Sequence, residues 1–557
     1  MPSSLASHIL KYFENILLRS SFFMTKNVGL CQATIVIIVV AFLQFIIQVS
    51  LLTRGVEYVA LSLTIDDTYY YLQTAWNTKN LGFVTFDGIN TTNGVQLLWF
   101  VIIVFISMFV KTKTALLFAT MAVSFVINAL CYLLILKIGT ILKRPNLVIF
   151  ISILWLLQSL PFRIYSMGME NSLHALVLWG VVYQGTAFLI RVQNRENPNF
   201  LGLTIALILN AWTRLDSAVL SVVLYTFCLA MLAYTYRNNF RLFLEKHLKS
   251  IAVSSLLAGF GLVAQLSAFW FMANSFLPVS ALVKTTGASL EFSTETVNKF
   301  IEIFILGMPA ILQGRFPPLI LTLLGILGIL FIVIRTRLVM HRLSKELMAF
   351  LYLWSCLLVG LLLYQVYIAI SGVEYRSYFI WYRSPSFIFW IITASLVCHF
   401  TFANSNLAER FFRVSKWAPI GFSLVILVIS IYLFSRSVNF ISNLYKVRYH
   451  AALWISKNSP AETIYAAWNT GQLGFFSNRT FINLDGVINS VDYYERVLQG
   501  PISLVQYLFD NKVDYVVDYN SYGAIQHFPV VRTFPLDDGS GRSIRIWQVP
   551  AQSSTAR

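Results

Sequence analysis

Apolar residues run along this chain in long blocks, and polar positions are confined to the short stretches between them. A helix needs about 20 apolar residues to cross the hydrocarbon core of a bilayer. Blocks near that length occur at 32–52, 96–110, 114–137, 146–160, 172–190, 200–212, 216–236, 248–272, 301–313, 317–336, 347–370, 385–403 and 417–436. Several are short for a full crossing, so residues 1–436 are expected to form an all-α polytopic membrane bundle of about 11–13 transmembrane helices. The pattern then changes, and 437–557 alternates strand-like and helix-like segments. TIYAAWN (463–469), FINLDG (481–486), DYVVDY (514–519) and SIRIWQV (543–549) read as strands, with helices near Val491–Leu498 and Ser503–Asn511. This predicts a C-terminal soluble α/β domain. It has no Gly-rich phosphate loop and no nucleophile elbow.

Composition agrees with a membrane protein: 57% of residues are hydrophobic, 12% are charged, and mean hydropathy is +0.69. The net charge of +17 does not point to nucleic acid, because the Lys and Arg residues sit in short loops between apolar blocks, where they orient the spans. With Arg237–Lys249, Arg335–Lys345 and Arg410–Lys416 in the cytoplasm, 273–300, 371–384 and the C-terminal domain fall outside. In the first half, placing Lys143-Arg144 and Arg191–Arg195 both inside makes the crossings from residue 96 miscount by one. Either a short span is re-entrant or one basic loop breaks the rule, and the sequence leaves both open. Lys11, Arg19 and Lys26 precede a first block too long for a signal-peptide core and lacking a small-residue cleavage site. It is expected to remain as a membrane helix with its N-terminus in the cytoplasm. The cysteines, Cys31, Cys131, Cys228, Cys356 and Cys398, are widely spaced within apolar blocks and read as small buried apolar residues.

Candidate chemistry begins in the first outer loop, 53–95. IDDTYYYLQTAWN (65–77) predicts a short helix opened by Asp66, with Tyr70, Leu72, Ala75 and Trp76 available to rest at the membrane surface. Gly82, Gly88 and Gly94 punctuate a loop that packs back over the bundle. The Asp66-Asp67 pair either caps the helix or supplies a base for an acceptor hydroxyl. Glu170, Arg214 and Asp216 lie between apolar blocks, where ionisable groups face a cavity or one another. Glu170 either positions a substrate or pairs with Arg163 or Arg214, whereas Arg214 and Asp216 read as a structural pair. His174 reads as a hydrogen-bonded helix residue. Asp485 and Asn489 form a turn or contact an acceptor, the turn being favoured.

The stretch DDTYYYLQTAWN with GFVTFDGINTTNGVQLLWF resembles the first outer loop of bacterial multi-spanning glycosyltransferases of the GT-C class. SMGMENSLHALVLW (166–179), WTRLDSAVL (212–220) and LPVSALVK (277–284) continue the resemblance, and AALWISKNSP, GQLGFFSNRTFINLDGVINS and VDYVVDY carry it through the tail of an uncharacterised bacterial group. The resemblance implies transfer of a hexose or pentose from a polyprenyl-phosphate donor to a glycan, lipid or protein acceptor, with no nucleic-acid partner. The reaction would take place at the outer face of the bacterial inner membrane, with the C-terminal domain periplasmic. The general base maps to Asp66, with Asp67 as the alternative. A leaving phosphate calls for outer cations, and Lys284, Arg376 and Arg383 are the candidates, with Tyr382 beside them; each cation could instead snorkel at the interface. Asp66, Asp67, Asp87 and Glu170 could supply oxygens to a divalent cation, but no metal or other cofactor is expected. The alternative reading, a transporter or flippase of lipid-linked sugars, should show paired halves with broken helices, and no such symmetry is visible. A scaffold would leave the buried ionisable residues unexplained.

Overall fold

The structure is a computed structural model that describes residues 28–159, 163–286, 318–370, 380–402, 443–519, 525–536 and 541–550, together with positions 425, 428, 429, 432, 523 and 539. The expected span at 301–313, most of that at 417–436, and Arg376 lie outside the described residues. The helices are α1 (Val28–Leu52), α2 (Asp66–Leu81), α3 (Leu97–Phe109), α4 (Lys113–Leu142), α5 (Pro145–Ser159), α6 (Asn171–Gln193), α7 (Phe200–Thr213), α8 (Ala218–Thr235), α9 (Phe240–Ala273), α10 (Val279–Lys284), α11 (Pro318–Val339), α12 (Lys345–Ile370) and α13 (Ser384–Phe402). Among the described residues, seven helices are long and apolar enough to cross a membrane. An eighth is counted if Ile37–Leu52 and Val56–Leu63, bent by 114° at Thr53–Gly55, form one broken span. The chain is a multi-pass membrane protein.

The two ends of the bundle are distinguished by their contacts. At the basic end, Lys143 pairs with Glu346 at 2.8 Å and Lys246 reaches the Arg195 carbonyl at 3.5 Å. At the other end, Asn93 donates to the Ser275 and Leu277 carbonyls at 3.1 Å and accepts from the Val279 amide at 2.8 Å, so the first outer loop is pinned to the start of α10. Helix α3, one of the short candidate spans, has both of its ends held at the end of the bundle that carries the C-terminal domain. The Gln96 amide before it donates to the Tyr71 hydroxyl, and the Val110 carbonyl after it accepts from Lys79, so both of its ends rest on α2. Lys113, just beyond, donates to the Phe475 carbonyl of the C-terminal domain. Phe105, Met108 and Phe109 stay exposed on α3, as on an interfacial helix that buries one face in protein and offers the other to lipid. With both ends of α3 at the C-terminal-domain end of the bundle, Lys143-Arg144 and Arg191–Arg195 fall together at the opposite end and the miscount disappears.

The C-terminal domain contains α14 (Asn443–Asn458), β1 (Ile464–Ala467), α15 (Gly471–Ser477), β2 (Thr480–Asn483), α16 (Leu504–Asp510), β3 (Tyr515–Asp518), β4 (Val530–Pro535) and β5 (Ser543–Gln548). The sheet order is β2-β1-β3-β5-β4, with β1 parallel to β2 and β3, and β5 antiparallel to β3 and β4. The three parallel strands are short and mostly buried, as expected of strands covered on both faces. The sequence reading had no place for α15 or for β4, an exposed edge strand that ends at Pro535 and has no alternating pattern to reveal it.

Candidate active site

Helix α2 begins at Asp66, after Ile65 in extended conformation, and the Thr68 hydroxyl accepts from the Ile65 amide. Asp66 therefore stands inside the first turn and does not cap its own helix. Its carboxylate instead accepts from the Gly471 and Gln472 amides at 3.1 and 2.9 Å, at the start of α15, and pairs with Arg448 of α14 at 3.3 Å. A Cβ on Gly471 would collide with the Asp66 carbonyl oxygen, so glycine permits this approach. Tyr69 lies 5.1 Å from both Phe475 and Phe476, adding an aromatic contact to the polar one. Tyr70, Leu72 and Ala75, expected at the membrane surface, are buried in protein contacts.

Asp67 has a different setting. The residue is partly exposed, and its carboxylate makes no hydrogen bond or ion pair among the described residues. Burial pushes its pKa up from 3.8 to about 6; Lys284 opposes the shift, and Asp66 and Glu170 add to it. Lys284, the last residue of α10, lies over the Tyr382 ring at 5.7 Å and has no carboxylate within ion-pair distance among the described residues. Burial works against its charge, but the Tyr382 hydroxyl and Asp67 more than offset it and raise its pKa.

Tyr382 sits in a short 3-10 turn, Ile380–Arg383, that also carries Arg383. Its other neighbour is Arg214, 4.5 Å from the ring. Arg214 belongs to a closed network: it pairs with Glu170 at 2.6 Å and with both Asp216 oxygens at 3.1 Å. Tyr71 donates to Glu170 at 2.9 Å, and Tyr364 to Asp216 at 2.7 Å. Glu170 thus takes one of the two partners foreseen for it, and Arg214 and Asp216 form the structural pair read from the sequence. His174 bonds Ser217 at 2.9 Å.

The C-terminal domain supplies a third side. Asp485 accepts from the Val487 amide at 2.9 Å and, more weakly, from the Tyr70 hydroxyl at 3.5 Å. Burial pushes its pKa up to about 7; the Val487 amide opposes the shift, while Asp67 and Asp66 add to it. Val487 lies against Gly94, and Gly486 beside Val283, next to Lys284. Asn489 donates to the Asn483 carbonyl at 2.6 Å and so holds the turn. Among the described residues, no three His, Cys, Asp or Glu side chains gather as a metal-binding group. Arg448 was missed by the sequence reading. It shares a helical stripe with Ala451, Ala452 and Ile455, and a cation on an apolar stripe signals a buried partner.

The chain has the architecture of ArnT from Cupriavidus metallidurans bound to undecaprenyl phosphate, with a TM-score of 0.52 and 12% identity over 92% of this chain and 97% of that one. This is a GT-C fold. The apo state of the same ArnT gives a TM-score of 0.51 at 12% identity, with the same coverage. Residues 439–552 match a sequence family described as a domain of unknown function (DUF8728). No curated protein matches the chain. In the GT-C frame, the paired acids open the helix that follows the first span, and the C-terminal domain docks over them.

Proposed function

We propose that this protein is a glycosyltransferase that moves a sugar from a polyprenyl-phosphate donor to an acceptor hydroxyl at the outer face of the cytoplasmic membrane, with Asp67 as general base. One observation carries the reading: in a GT-C fold, a carboxylate and an ammonium that feel each other's charge stand without an ion-pair partner among the described residues. A donor whose sugar is linked to phosphate is already activated, so the protein has to align the acceptor, take its proton and neutralise the leaving group. Asp67 takes the proton, the acceptor oxygen attacks the anomeric carbon, and the bond from that carbon to the phosphate oxygen breaks with its electron pair going to phosphate. Lys284, held against Tyr382, stabilises the charge that develops there. Asp66, also open as a base from sequence, is given to domain docking because both of its oxygens are engaged.

The ArnT structure bound to undecaprenyl phosphate supports a polyprenyl-phosphate donor. The basic end of the bundle is assigned to the cytoplasm, which puts the site and the C-terminal domain outside, in the periplasm of a bacterium with two membranes. The test is an assay of purified protein in nanodiscs against polyprenyl-phosphate hexoses and pentoses, following sugar transfer and release to water. The wild type should consume at least one donor, and Asp67→Asn should lose a hundredfold or more, within the roughly 10²–10⁴ range of general-base contributions. Full turnover by Asp67→Asn would remove the base from the mechanism.

A further inference from the structure

We propose that a polar cleft on the flank of α2 binds a saccharide that carries a phosphate or carboxylate group. The cleft has a volume of about 440 Å³ and lies between the second half of α2, the 86–89 loop and the Asn478–Phe481 segment of the C-terminal domain. Its volume falls in the range of roughly 300–1,000 Å³ usual for small-molecule sites. Tyr70 and Phe86, 5.6 Å apart in an edge-to-face contact, stand between it and Asp485.

Two cations in the cleft set its preference. The Arg479 guanidinium is fixed by the carbonyls of Ser456, Ser459, Ser477 and Asn478 at 2.6–3.4 Å. Lys113 donates to the Phe475 carbonyl at 3.3 Å and lies over that ring. Neither has a carboxylate partner among the described residues, so their charge is held in place without being neutralised. Asp87, the carboxylate lining the cleft, is occupied by the Ile89 and Asn90 amides, the Asn90 side chain and the Thr85 hydroxyl. Arg479 Nε has no partner among the described residues.

Gln73 supplies a second, independent observation. It is 7% exposed, its Nε2 donates to Asn77 at 3.1 Å, and its Oε1 has no partner among the described residues. An acceptor fixed in this way in a cleft also lined by Lys113 and Arg479, with Trp76, Phe86 and Phe481 in the lining, suits hydroxyls and the C–H face of a sugar as well as an anion. Binding here is independent of the transferase reading, and its test does not use turnover.

Full-length protein in nanodiscs is titrated by calorimetry with glucose 6-phosphate, glucuronic acid, glucose and inorganic phosphate. One of the two acidic sugars should bind at least about tenfold more tightly than glucose and than phosphate, and Lys113→Gln should weaken that binding about tenfold. If Lys113→Gln lowers the thermal midpoint, Gln73→Leu is the second variant and should weaken the same ligand. Equal binding of glucose, equal binding of inorganic phosphate, or no binding by the wild type would each overturn the proposal.

Discussion

Two charged regions meet at the end of the bundle that carries the C-terminal domain, and they are built in opposite ways. In the Glu170–Arg214–Asp216 network every charge has a partner within 3.1 Å, and tyrosine hydroxyls take up further oxygens. At the α2–α10 edge, Asp67 and Lys284 influence each other's ionisation without forming an ion pair. Removing a buried charge from water is costly unless a partner compensates it, and in the closed network each charge is compensated, so loss of any one member leaves another uncompensated. Among the described residues the Asp67 carboxylate has no hydrogen bond, and Lys284 leans on the Tyr382 side chain. Asp66 and Asp67, adjacent in sequence, fall on opposite sides of this division.

The comparison is broken most severely by Asp67→Asn, which should cut sugar transfer a hundredfold or more while the protein stays folded. Its stability should even rise at neutral pH. The folded-state pKa of Asp67 is raised from 3.8 to about 6, so the stability it contributes is complete below 3.8 and is lost as pH rises through 6. Asn carries no charge and escapes that loss; a thermal melt of the two proteins at pH 7 and pH 4 reads it. Arg214→Met should act in the reverse sense, costing about 3–5 kcal/mol of stability because Glu170 and Asp216 are left buried without their cation. Denaturation in detergent measures this, and an unchanged midpoint would show the network to be dispensable.

Asp66→Asn should have a smaller and more local effect. It removes the charge that holds Arg448 and weakens two amide contacts, costing about 1–3 kcal/mol at the docking surface. Hydrogen exchange at Gly471 and Gln472 should accelerate while helices inside the bundle keep their protection. Smallest is Tyr71→Phe, which takes one hydrogen bond from Glu170 and leaves the Arg214 pair intact, for about 1 kcal/mol.

Much of this division was legible in the sequence, and the rest was hidden for physical reasons. Long apolar blocks marked the bundle because a bilayer imposes a minimum length, and an isolated acid and base between such blocks marked Glu170, Arg214 and Asp216. Whether α3 crosses was left open by the sequence because an interfacial helix can be as apolar as a crossing one; its position is set by what Tyr71 and Lys79 hold. The Asp66-Asp67 pair stood out in the sequence, but the different surroundings of its two members did not. They depend on Gly471, Gln472 and Arg448, all more than 380 residues away in the chain. Lys284 was a candidate because of its place in a loop between apolar blocks, whereas its position over Tyr382 depends on a turn about 100 residues further on.

The central claim is that Asp67 must lose its proton to work and that Lys284 holds its pKa down. The most direct measurement is the pH dependence of kcat/KM for sugar transfer in the wild type and in Lys284→Met. An acidic limb near pH 6 is expected in the wild type, and it should move to higher pH in the variant, because Lys284 lowers the pKa of Asp67. A limb at the ordinary carboxylate value near 4, or one that stays fixed when Lys284 is replaced, would contradict it.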